Sequence, residues 1–220
     1  MASGHDERAP ETVGPLALAD ALLFQLVLRG PVRQHDLRAA TGAAPSDLDA
    51  IIATLEDEGT IERRVLAGTE HVALTSGGRA RAAAVVAAEG TLLRSHVAAL
   101  DDEFRALNGN VKQILLRWQV RVDRTTEVLN DHSEARYDSL VLADLRAAQL
   151  AADRLLERLV PLRVRYADLR RRLREALARA AAGDRAAVAG VAADSFHTAW
   201  WELHGDLLAI LGRARGASDV

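Results

Sequence analysis

Apolar positions recur at helical spacing along most of this chain, and the period changes in one place only. Residues 16–29 read as a first helix, closed by Gly30-Pro31, because a glycine followed by proline stops a helix. Residues 33–40 read as a second, ended at Thr41-Gly42. Residues 45–58 read as a third. Proline suits its first position, where the missing N–H had no partner anyway, and Gly59 stands just past the end, where a left-handed residue is wanted. Within it Leu48, Ile51, Ile52 and Leu55 fall at i, i+3, i+4 and i+7, a buried stripe. Then two short strands, 61–66 and 71–74, flank a tip at 67–70.

Everything after Thr75 is helical in pattern. Thr75 is a good N-cap for a helix running to about residue 104. Gly109, with Asn108 and Asn110, predicts a break, and a helix over 111–129 follows. A second break falls at 130–133, where Asp131 and Glu134 have capping-box spacing. Helix then spans 133–182, kinked or split at Pro161, which cannot donate to the carbonyl four residues back. Gly183-Asp184 ends it. A last helix runs to about Gly212, with Asp194 as an alternative restart. Residues 1–14 are polar and without periodicity, and are expected to be a disordered tail.

Three helices, a hairpin and a long helix are the element order of a winged helix-turn-helix. Leu55-Glu56-Asp57-Glu58-Gly59-Thr60-Ile61-Glu62-Arg63 resembles the exit of the recognition helix and first wing strand of MarR-like regulators. Leu74-Thr75-Ser76-Gly77-Gly78-Arg79 resembles their exit from the wing. The resemblance covers residues 16–81. It implies an N-terminal winged helix-turn-helix with a two-stranded wing (15–81); the helical pattern beyond it adds a linking helix (82–106), an all-α C-terminal bundle for effector binding or dimerisation (107–213) and a tail (214–220), so the fold expected is mainly α. It also implies double-stranded DNA as partner, with the third helix in the major groove. The matching exposed positions are Ser46, Asp47, Asp49, Ala50, Ala53 and Thr54, of which Ser46, Asp49 and Ala50 are the expected DNA contacts, with Arg33, Arg38, Arg63, Arg64 and Arg79 nearby.

Charge changes that picture. Between Pro45 and Gly59 there is no Arg or Lys and there are five acids, and the tip at 67–70 has no basic residue. Residues 1–75 hold 6 basic and 12 acidic side chains, net −6; residues 76–220 hold 22 and 19, net +3. Carboxylates repel a phosphate backbone, so an alternative stands beside DNA binding: a winged helix kept as an interaction module that regulates a partner enzyme. The 43 alanines and few prolines favour helix throughout. The absence of cysteine excludes disulfides and thiolate chemistry. No apolar run approaches the roughly 18 residues of a membrane span, and no secretion signal is visible at the start. The expectation is a cytoplasmic protein without a membrane partner.

The second half holds the candidate ligand chemistry. Its phrases, among them Leu107-Asn108-Gly109-Asn110-Val111-Lys112 and Asn130-Asp131-His132, resemble an actinobacterial type of helical region that accompanies winged helices. All three tryptophans, Trp118, Trp200 and Trp201, lie here. His197, Trp200, Trp201 and His204 fall at i, i+3, i+4 and i+7 on one helical face. With Trp118, Gln119 and Asp138 they are the candidate lining of an effector pocket; plain core packing is the other reading of the tryptophans. Asp194-Ser195-Phe196-His197 is similar to, though one residue shorter than, a "DxxFH" phrase of metal-binding helical domains in GntR-type regulators. Seven residues at 1.5 Å rise put His197 and His204 about 10 Å apart, too far to share one ion, so neither a metal nor another cofactor is expected. The arginine run 163, 165, 170, 171, 172, 174 and 179 reads as a solvated face, with Leu162, Leu169, Leu173 and Leu177 supplying the core stripe. No nucleophile elbow, phosphate loop or dinucleotide fingerprint is present, so no enzyme activity is expected. The function expected is a winged-helix transcription regulator with a helical ligand-sensing domain, homodimeric through its helical half.

Overall fold

A computed structural model describes residues 16–123, 126–190 and 194–214. The tail expected at 1–14, and residues 215–220 of the second tail, lie outside the described residues. The chain is mainly helical, with nine helices and two small antiparallel hairpins among the described residues.

Helices α1 (Leu18–Arg29), α2 (Gln34–Thr41) and α3 (Pro45–Asp57) come first. Strands β1 (Ile61–Leu66) and β2 (Thr69–Leu74) pair antiparallel, with Leu66 opposite Thr69. The tip is therefore two residues, Ala67 and Gly68, shorter than the four expected. Both take positive φ, 49° and 77°, the geometry that matches strand twist in a tight hairpin. Val32 adds an isolated bridge to Val72 on the same hairpin. Leu22, Leu23, Leu37, Leu48, Ile52 and Leu55 are buried beneath the three helices.

Helix α4 (Gly78–Ala98) has Gly77 rather than Thr75 at its N-cap; Thr75 Oγ1 still accepts from the Gly78 N–H at 2.9 Å and donates to the Gly59 carbonyl at 2.7 Å. A Cβ on Gly78 would sit 1.9 Å from the Thr60 carbonyl oxygen, so no side chain fits there. The linking helix expected over 82–106 is instead two helices. α4 stops at Ala98, and α5 (Asp101–Gln119) leaves at 83° to it. Asp101, Asp102 and Glu103 favour this new start, since acids suit a helix N-terminus. The break expected at Gly109 is absent. The stripe Phe104, Leu107, Val111, Ile114, Trp118 runs straight through it, and burial outweighs the ~1 kcal/mol propensity cost of one glycine. The helix expected over 111–129 ends at Gln119. Strands β3 (Val120–Asp123) and β4 (Thr126–Leu129) replace its second half, because β-branched Val120, Val122, Thr126 and Val128 suit a pleated strand.

Asp131 caps no helix. Its Oδ1 accepts from the N–H and hydroxyl of Ser133 in a local turn before α6 (Ala135–Leu159). Pro161 splits the next helix: α7 is Val164–Ala181. After short α8 (Ala186–Ala189), α9 (Phe196–Leu211) opens on a capping box between Ser195 and Thr198. α4 packs on α1 and α9, and α7 packs on α2, α6 and α9. One apolar core runs from Leu22 to Leu211. Among the described residues no single helix is long and apolar enough to cross a membrane.

The arginine run of α7 corrects the sequence reading. Arg163, Arg165 and Arg172 are 5–6% exposed, not solvated; Arg170, Arg171, Arg174 and Arg179 stay nearer the surface, in ion pairs. Arg163 grips Glu89 of α4 with contacts of 2.5 and 2.9 Å. Arg165 bonds Glu89 at 3.0 Å and Asp206 of α9 at 2.6 Å, and lies 4.2 Å over the Phe24 ring of α1. The Tyr166 hydroxyl donates to Asp206 at 3.3 Å. Burial alone would lower the Arg165 pKa, but Asp206, Tyr166 and Glu89 together outweigh it and raise the value. Burial raises that of Tyr166, and Asp206 adds to the rise. Two cations face two carboxylates, so this dry cluster joining α1, α4, α7 and α9 is neutral.

Candidate functional site

The outer side of α3 follows from its sequence. With Leu48, Ile52 and Leu55 turned inward, Ser46, Asp47, Asp49, Ala50 and Ala53 face solvent. Asp49 accepts a hydrogen bond from the Gln34 side chain of α2. The arginines around this face are mostly occupied. Arg63 pairs with Glu56 of α3 at 2.9 Å and with Glu70 across the hairpin at 2.6 Å. The Glu70 hydrogen bond, outweighing partial burial, raises its pKa. Arg64 donates to Glu62 at 2.6 Å, Arg81 to Glu58 at 2.5 Å and Arg33 to Asp36 at 3.0 Å. Arg38 and Arg79 are exposed and make no ion pair among the described residues.

On the other side of the hairpin lies a cleft of about 790 Å³. Its walls are the hairpin (Leu66, Ala67, Thr69, His71), the end of α1 (Leu28, Arg29), Arg33 and Asp36 by α2, Arg172 of α7, and the start of α9 with Asp194, His197, Thr198, Trp201 and Glu202. The capping box aims this first turn. With Phe196 and Ala199 buried, His197 and Trp201 one turn apart point to the cleft, and Trp201 keeps 38% of its surface. The floor is charged. Glu202 lies 2.6 Å from Arg172 and 3.3 Å from Arg29, and Arg172 also meets Asp194 at 2.8 Å. Burial alone would lower the Arg172 pKa; Glu202 and Asp194 outweigh it and raise the value. Burial lowers the pKa of His197 below the ordinary imidazole value, so the ring is neutral at pH 7. Three arginines therefore balance three carboxylates around a partly apolar space.

The candidate ligand set does not converge. His197 and Trp201 reach the cleft, while Trp200 and His204 face inward. Trp200 stacks 5.5 Å from Phe104 and 6.2 Å from Phe196, and its Nε1 donates to Asn108 Oδ1 at 2.8 Å. His204, 6% exposed, tilts against Phe104 at 5.5 Å. Each step of three residues turns back about 60°, so the stripe of four is wide enough to be cut along its middle. Trp118 and Asp138 belong to a third place, beneath the β3–β4 hairpin. There the Trp118 ring lies 4.4 Å from His132, and Asn130 Nδ2 donates to the Trp118 carbonyl and to Asp138. His132 Nδ1 is 3.1 Å from both Asp138 oxygens. Gln119 is exposed, and its carbonyl accepts from the Asn130 N–H.

Arg29, Asp36, His71, Arg172 and Glu202 escaped the sequence reading of the cleft. Nothing local marks them, because Arg172 and Glu202 meet across 30 residues from two helices. Among the described residues no three His, Asp or Glu side chains gather as a metal site would require. No family model, curated protein or solved structure matches the chain.

Proposed function

We propose that this chain is a winged-helix regulator that senses a small molecule in the cleft between hairpin and α9 and reports to a protein partner. The order α1, α2, α3, β1, β2, with Val32 bridging to the hairpin, supports the winged-helix reading. One observation carries the choice of protein over DNA. The outer side of α3 is acidic, and Arg33, Arg63, Arg64 and Arg81 around it are already held by carboxylates. Duplex phosphates would have to displace those carboxylates while approaching Asp47 and Asp49. Most non-specific DNA affinity comes from neutralising phosphates, and this surface offers little charge for it.

Arg38 and Arg79, exposed and without an ion pair among the described residues, favour a second reading as a DNA-binding transcription regulator. A mobility-shift titration with mixed genomic duplexes at low salt separates the two. No shift is expected of the wild-type protein. Glu56→Gln with Glu70→Gln frees Arg63 and is expected to create weak, sequence-independent binding. A sequence-selective shift by the wild-type chain overturns the protein-partner reading. A homodimer through the helical half is part of the proposal. Val122, Leu129 and Leu140, 61–82% exposed, support it. The 92–104 stretch supports it only at Leu92, since Leu93, Val97, Leu100 and Phe104 are buried within their own chain.

A further inference from the structure

We infer that the chain holds a second ligand site, a cavity between α1, α2 and the start of α7, and that it takes a neutral aliphatic molecule with a hydroxyl or primary amide head. The cavity measures about 670 Å³, within the ~300–1,000 Å³ of small-molecule sites. It shares no lining residue with the cleft at Trp201. Leu18, Ala21 and Gln25 of α1 all line it. They fall at i, i+3 and i+7, so one stripe of that helix faces the space. Ala40 and Ala43 close it at α2, and Pro161 and Val164 at the turn into α7. Within this aliphatic wall the Gln25 side chain is 2% exposed and makes no hydrogen bond among the described residues. Its Oε1 is shielded from water and meets no donor.

Burying an amide without a partner carries a penalty, and the other polar groups at the wall are already spent. Thr41 Oγ1 donates to the Leu37 carbonyl at 2.8 Å. Every nitrogen of the Arg163 and Arg165 guanidinium groups donates to Glu89, Asp206, the Leu162 carbonyl or the Tyr166 hydroxyl. A ligand carboxylate would have to draw a guanidinium away from Glu89 or Asp206, whose side chains are fully buried, and strand it there. A ligand ammonium would meet two guanidinium groups, and no acid lines the cavity to receive it. A neutral head avoids both costs. The terminal torsion of a glutamine amide is soft, so its oxygen or its NH2 can turn to the cavity. A hydroxyl or a primary amide answers either end, because each both donates and accepts. The aliphatic tail then lies against the alanines, Pro161 and Val164. Since α1 and α2 belong to the N-terminal module and the turn into α7 to the body, one bound molecule ties the two together.

The experiment is calorimetric titration of the full chain with four compounds of one chain length: 1-hexanol, hexanamide, hexanoate and hexylamine. The alcohol and the amide are expected to bind saturably, about tenfold or more tighter than the two ions, which must shed water to enter, and to raise the thermal midpoint. Gln25→Leu keeps the bulk and removes the polar group. It is expected to hold or raise the midpoint of the ligand-free protein while weakening 1-hexanol several-fold; unchanged affinity would make Gln25 merely structural and overturn its role. Ala21→Leu, which fills the cavity from α1, is expected to abolish binding, and Trp201→Ala, in the separate cleft, to leave it unchanged. If hexanoate or hexylamine binds the wild-type protein as tightly as 1-hexanol, the neutral head is wrong. If neither neutral compound binds at millimolar concentration, or if binding survives both Gln25→Leu and Ala21→Leu, the inference is overturned. If Trp201→Ala abolishes it, the ligand sits in the sensing cleft, and this inference falls while that reading stands.

Discussion

Arg165 is the residue on which most of the dry charge cluster turns, since it bonds both Glu89 and Asp206. Arg165→Met keeps the aliphatic stem but removes the guanidinium, stranding the buried Asp206 carboxylate while Glu89 keeps Arg163. Breaking a buried pair in this way costs about 3–5 kcal/mol, so urea melts should show a loss of that order, with the fold retained in the far-ultraviolet spectrum. His197 acts at the same scale through protonation. Its folded pKa is lowered, so below the ordinary value of 6.5 the unfolded chain binds the proton first and acid favours unfolding. The stability contribution is whole above about pH 6.5 and declines as pH falls towards the lowered value. His197→Gln is expected to flatten that part of the stability profile; an unchanged slope would show that another group titrates there. The buried arginines had a legible signal. Arg165, Leu169, Arg172, Leu173 and Ala176 fall at i, i+4, i+7, i+8 and i+11, the core stripe itself. A charge on such a stripe implies a buried partner, but residue type suggested solvent. Which carboxylates answer, Glu89, Asp206 and Glu202, was not legible, because those contacts join helices distant in sequence.

At the scale of elements, local chemistry predicted the ends of helices better than their interruptions. Gly30, Gly42 and Gly212 take positive φ just past α1, α2 and α9, where the sequence placed the stops. The bend at Ala99–Leu100 carries neither glycine nor proline, so its one signal is the acidic triplet that follows. β3 and β4 were hidden because the apolar stripe of α5 runs up to Trp118 and invites continuation through Val122, although the alternation of Val120, Arg121 and Val122 is strand-like. The start of α4 offers a direct test of element packing. Gly78→Ala places a methyl group against the Thr60 backbone, which cannot swing aside as a flexible side chain would. The helix must shift, and overpacking of this kind costs about 1–3 kcal/mol. The thermal midpoint should fall by several degrees, whereas Gly109→Ala, with open space at its Cβ, should raise it slightly. Equal effects at the two sites would contradict the close approach.

The whole molecule presents Val122, Leu129 and Leu140 to solvent at one hairpin and the helix after it, and sedimentation at micromolar concentration is expected to give twice the chain mass. Val122→Glu with Leu129→Glu should return it to one, since both side chains point outward and neither supports the core. A monomer in the wild-type protein removes the dimer from the proposed function. The shared core and the Glu89–Arg165–Asp206 cluster carry a different consequence, for how such a chain can be cut and recombined. Phe24 of α1 lies under Arg165, and α1 packs on α4 and α9. A fragment ending near residue 81 would therefore bare the aromatic ring and the leucines beside it. It is expected to aggregate or remain unstructured rather than fold as a free-standing unit. The N-terminal third is then not a portable cassette: grafted alone onto another protein it would lose its foundation, and it travels through evolution or engineering only together with α4, α7 and α9.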